Sequence, residues 1–91
     1  MIAMETNILV YAHRAESAFH DAAYLSVQSL AEGGKPWGIP VACLHEFLSI
    51  ATNPKIFNPA STCEQALSQV EAWLASPTVH VLCSTGQCWL S

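Results

Sequence analysis

MIAMETNILVYA, residues 1–12, decides how the chain begins to fold. Residues 1–4 form a short apolar run. Glu5, Thr6 and Asn7 interrupt it, and residues 8–12 are apolar again. The segment is either one strand or a strand that passes into a helical turn. Thr6 and Asn7 are turn and cap residues, which favours the second reading.

Working outward, Ser17 reads as a helix N-cap. Phe19, Ala23, Val27 and Leu30 follow at spacings of four, four and three, one face of an amphipathic helix. Gly33-Gly34 ends that helix, and Lys35-Pro36 cannot continue it. Trp37-Gly38-Ile39 is a strand candidate closed by Pro40. Residues 41–52 carry the next helical stripe, Val41, Leu44, Leu48 and Ala51, with Phe47 beside it. Asn53-Pro54 stops it, and a loop with Asn58 and Pro59 follows. Ser61-x-x-Glu64 and Thr62-x-x-Gln65 both have the form of a capping box. The helix behind them carries Leu67, Val70, Trp73 and Leu74 and ends at Ser76-Pro77. Residues 79–83 are a third strand candidate, and Ser84-Thr85-Gly86 is a turn.

Strand, helix, strand, helix, helix, strand is an α/β order, and helical crossovers favour a parallel sheet. A chain of 91 residues holds one domain, residues 1–91. It is 52% hydrophobic and 11% charged, too apolar for a disordered tail. So apolar a short chain is composed for a larger core than it can complete.

Three Lys+Arg against seven Asp+Glu give a net charge of -4. That argues against a protein that holds nucleic acid mainly by neutralising phosphates. It leaves open a metal-dependent nuclease, whose site is built from carboxylates. No apolar run approaches the roughly 18–20 residues that span a bilayer. Glu5 interrupts the first apolar stretch and no basic segment precedes it, so no secretory signal is expected. Cys43, Cys63, Cys83 and Cys88 then read as reduced thiols in a cytoplasmic protein; no C-x-x-C supports a zinc site.

Two acids stand out. Glu5 sits at the end of the first strand, where open parallel sheets bind ligands. A carboxylate there can hold a hard cation or simply favour a helix dipole. Glu46 falls off the apolar stripe of its helix, where a solvated face is the usual explanation. Magnesium is often bound by one or two carboxylates plus waters and substrate phosphate, so the pair suffices if the fold unites it. His13, His20, His45 and His80 share no short spacing, and no nucleophile elbow or phosphate-binding glycine loop is present.

ETNILVYA (residues 5–12) resembles the opening motif of PIN-domain ribonucleases, especially the VapC type of bacterial toxin. HEFL (residues 45–48), NPKIF (residues 53–57) and the intervening GGKPWGIP (residues 33–40) are also similar to that family. The resemblance implies a PIN-like three-layer α/β/α domain with a parallel sheet, here truncated after the third strand. It implies a metal-dependent endoribonuclease of a toxin–antitoxin system, with Mg2+ or Mn2+ as cofactor. RNA would be the substrate and a cognate antitoxin the protein partner, with no membrane involved. By position, Glu5 and Glu46 would be catalytic metal ligands and Asn7 would help shape the site from behind them. Two departures follow from the motif. The family's first acid is Asp rather than Glu, and its third and fourth acids lie beyond the region matching Leu90. The resemblance therefore also implies weakened or lost activity, or a non-catalytic module that binds an antitoxin or itself. The family places the first strand inside its sheet, so an open edge and homo-oligomerisation are expected here.

Overall fold

The computed structural model describes residues 2–83; the turn expected at residues 84–86 lies outside them. Seven elements follow in order: β1 (Ile2–Ala3), α1 (Thr6–His13), α2 (His20–Glu32), β2 (Trp37–Pro40), α3 (Val41–Ala51), α4 (Cys63–Leu74) and β3 (Val79–Leu82). β2 lies between β1 and β3, and both pairings are parallel. This is the PIN-like α/β arrangement that the sequence implies. Residues 8–12 belong to a full helix, so the first crossover carries two helices, as the second does.

The register sorts the sheet into two faces. Trp37 stands opposite Val79, and Ile39 opposite Val81. Side chains alternate along a strand, so these four share one face. Trp37 and Ile39 are fully buried there, and Val79 and Val81 pack against the same core. Leu9, Val10 and Ala12 of α1, Val27 of α2, Leu44 and Phe47 of α3, and Val70 and Trp73 of α4 complete it. A buried indole N–H needs a partner. Trp37 Nε1 donates to Ser76 Oγ at 3.1 Å, and Ser76 in turn donates to the Ala31 carbonyl at 2.9 Å. Ser76, which the sequence marks only as a helix stop, thus ties the end of α2 to the strand beside it.

Helix boundaries follow local chemistry with instructive shifts. α1 starts one residue earlier than its cap residues suggest. Glu5 is the extended N-cap, without a side-chain cap bond, and Thr6 and Asn7 lie inside the helix. At α4 the structure selects one of the two capping boxes: Thr62 Oγ1 accepts from Gln65 N–H, and Gln65 Oε1 accepts from Thr62 N–H. Thr62→Ala removes the first bond and is expected to cost about 1 kcal/mol. That is a fall of roughly 4–8 °C in melting temperature for a domain of this size, read by thermal circular dichroism. Gly33 ends α2 without a left-handed turn. Its N–H bonds the Ser29 carbonyl at 2.9 Å, and a Cβ there would sit 2.8 Å from that same oxygen.

Three expectations are corrected. Phe19 does not lie on the buried stripe of α2. It is the N-cap residue, 62% exposed, and its ring turns toward Tyr11. On α3 the buried row is Leu44, Phe47 and Ala51, with Val41 and Leu48 only partly covered. Cys43 and Cys63 are free thiols, but Cys83 is disulfide-bonded. Among the described residues no helix is long and apolar enough to cross a membrane.

Candidate functional site

Glu5 is positioned by backbone alone. On one side Met4 N–H donates to the Gly38 carbonyl at 2.9 Å, fixing the end of β1 against β2. On the other, the Glu5 carbonyl accepts from Leu9 N–H at 3.3 Å and opens α1. The carboxylate therefore stands at the carboxyl end of a strand and the start of a helix. Asn7 follows in the first turn, exposed.

α3 begins directly from β2, with Pro40 as its extended N-cap. Its rotation is set by Phe47, which is fully buried. The Phe47 ring meets Trp73 edge-on at 4.9 Å and His13 at 5.2 Å. At 100° per residue, turning Phe47 inward turns Glu46 outward, and Glu46 is exposed. α3 starts at the carboxyl end of β2, and Glu46 is the sixth residue of it. α1 and α3 rise from neighbouring strands and pack on one another. Glu5 and Glu46 thus stand on adjacent helices that start at the same edge of the sheet.

Among the described residues neither carboxylate, nor the Asn7 side chain, has a hydrogen-bond or ion-pair partner. Two unengaged carboxylates and an amide oxygen are hard donors, the kind that magnesium and manganese take. Among the described residues no group of three or more His, Cys, Asp and Glu side chains is close enough to hold a metal. A site here would rest on these two acids completed by water and phosphate.

A second polar cluster at the far end of α1 escaped the sequence. His13 Nε2 lies 2.8 Å from Ser61 Oγ, and Nδ1 lies 3.2 Å from Gln69 Oε1. A glutamine oxygen only accepts, so Nδ1 carries the proton and Nε2 accepts from Ser61. Arg14 donates to Ser61 Oγ at 3.0 Å and to the Pro59 carbonyl at 2.7 Å, pairs with Glu16, and lies over the Phe57 ring at 4.4 Å. The backbone first, then Arg14, holds the Glu16 carboxyl below the usual carboxylate range. This cluster pins the loop between α3 and α4 to the end of α1. Ser61, the losing candidate for a helix cap, is buried within it. The partners are 47 and 48 residues apart, and no local pattern announces them.

The chain is 31% identical over 91 residues to a VapC ribonuclease of Mycobacterium bovis, and equally to ribonuclease VapC43 of Mycobacterium tuberculosis. In sequence it is thus similar to VapC-type ribonucleases along its whole length. The similarity covers the whole chain but 62% of each relative's length. No family model matches it. The motif residues quoted from the sequence have these places: Glu5 as helix cap at the end of β1, Asn7 in the first turn of α1, and Glu46 on the exposed side of α3.

Proposed function

We propose that this chain acts in the cytoplasm as a divalent-metal-dependent endoribonuclease of a toxin–antitoxin pair, with Glu5 and Glu46 as metal ligands. The observation that supports the reading is a pair of exposed, unpartnered carboxylates, Glu5 at the carboxyl end of β1 and Glu46 on α3, a helix that starts from the carboxyl end of the neighbouring parallel strand. Bound magnesium or manganese supplies an activated water and charge stabilisation for the phosphoryl oxygens. The chain's own residues do the rest. The backbone bonds on either side of Glu5 hold its carboxylate at the edge, and the packing of Phe47 keeps Glu46 turned outward. Asn7 offers its amide to the same edge. Glu5 reaches about one bond length further than the aspartate usual at this motif, and catalytic sites tolerate displacements of only about 1 Å poorly. Slow turnover is therefore part of the proposal.

The test is incubation of the chain with single-stranded RNA and manganese, against the same mixture with a chelator. Internal cuts that need the metal support the reading. Cleavage that persists in chelator contradicts it, and so does a folded chain that leaves RNA intact.

The second of those outcomes selects a non-catalytic module that binds an antitoxin or a second copy of itself. The exposed edge strand favours it: Ile2 of β1 is 57% exposed, at the outer rim of the described sheet. A strand edge left unpaired is a template for another chain.

A further inference from the structure

We propose that His13 is a positioning residue for the metal pair: it holds the rotation of α3, and with it Glu46, against the helix that begins at Glu5. Resting on the ribonuclease reading above, this adds what keeps the two acids in a fixed relation.

One ion shared by ligands on two helices requires those helices to be fixed against each other. A carboxylate about 6 Å from a helix axis moves about 1 Å for each ~10° of rotation. Magnesium demands near-ideal geometry, and misplacement by about 1 Å costs up to about 100-fold in rate. The sheet fixes only where the helices start. Met4 N–H bonds the Gly38 carbonyl just ahead of α1, and α3 leaves β2 directly at Pro40. Glu46 is the sixth residue of α3, beyond that constraint.

His13 supplies the rest, at two levels of α3. In the middle, Phe47, the neighbour of Glu46, is held between the Trp73 ring of α4 and the His13 ring of α1, at interplanar angles of 66° and 84°. At the end, Ser61 N–H donates to the carbonyl of Ala51, the last residue of α3, at 2.8 Å, and Ser61 Oγ lies 2.8 Å from His13 Nε2. The imidazole is itself fixed, because Gln69 engages Nδ1 while Ser61 engages Nε2. Hydrogen bonds weaken steeply off their axis, whereas apolar burial has no direction. The two bonds therefore resist a small roll that ring packing alone tolerates. From Glu5 to His13 the helix advances about 12 Å, so His13 acts through α3 and stands away from the proposed ion.

The test is manganese calorimetry and timed RNA cleavage, each run well below the melting temperature of the variant. His13→Leu should weaken manganese binding about 10-fold and lower kcat roughly 10- to 100-fold, with KM for RNA unchanged. Gln69→Ala removes only the Nδ1 bond, from a half-buried site on neither metal-bearing helix. It should act in the same direction by about fivefold, and Gln69→Glu, which still accepts from Nδ1, should restore the wild-type values. A merely structural role lowers the melting temperature and leaves manganese affinity in the folded protein untouched. Where His13→Leu fails to fold, the Gln69 pair decides. Folded variants with wild-type manganese affinity and rate, or a Gln69→Glu no better than Gln69→Ala, would overturn the positioning role alone. A wild-type chain that takes up no manganese removes the metal reading, and the positioning role with it.

Discussion

Phe47→Ala is expected to leave little folded protein at room temperature. Phe47 is fully buried and is gripped by two rings, Trp73 at 4.9 Å and His13 at 5.2 Å. Truncating a buried Phe costs about 3–5 kcal/mol, part for lost transfer energy and part for the cavity. Small domains are stable by only about 5–15 kcal/mol in total, and a chain of 91 residues stands toward the low end of that range. The loss falls where α1, α3 and α4 meet, so no single helix can collapse into the gap. Urea denaturation followed by far-ultraviolet circular dichroism measures it. A midpoint within error of the wild type would contradict the packing described here. The same substitution frees the rotation of α3, so any folded remainder should also lose the outward placement of Glu46.

Glu46→Gln is expected to separate chemistry from folding. The side chain is exposed and unpartnered, and surface changes of this kind usually move stability by less than about 0.5 kcal/mol. The amide keeps the shape and removes the charge. Where two carboxylates are the protein's share of a magnesium or manganese site, losing one removes half of its negative charge. The manganese-dependent cleavage rate should then drop by a factor of about 100 or more, the scale seen when one charge-stabilising group is taken from an active site. End-labelled RNA resolved over a time course provides the rate. Equal rates for wild type and variant would take Glu46 out of the site.

The parallel sheet and the helical order could be read from the sequence because period-3.6 and strand-like runs alternate between clear breakers. The rotation of a helix could not. On α3, both Val41–Leu44–Leu48 and Leu44–Phe47–Ala51 satisfy helical spacing, and the choice between them is made by α1 and α4. Phe19 deceived for a related reason. Its spacing to Ala23 fits the stripe, yet α2 begins at His20, and a residue outside the first turn is free to swing toward Tyr11. The ties from Ser61 to His13 and Arg14, and from Trp37 to Ser76, join residues 39 to 48 positions apart. Such bonds leave no trace in a local pattern. Thr62–Gln65, three residues apart, could be read directly. Glu5 and Glu46 are singled out by motif resemblance and, for Glu5, by position at a strand end, since spacing alone cannot say whether two acids 41 residues apart share an edge.

Isothermal titration with manganese tests the central claim most directly, because it asks the two carboxylates to act together without requiring turnover. The wild-type chain should release heat and saturate at one ion, and Glu46→Gln should show no resolvable binding at the same concentrations. A wild-type titration indistinguishable from buffer, or a Glu46→Gln titration that matches the wild type, would contradict the account.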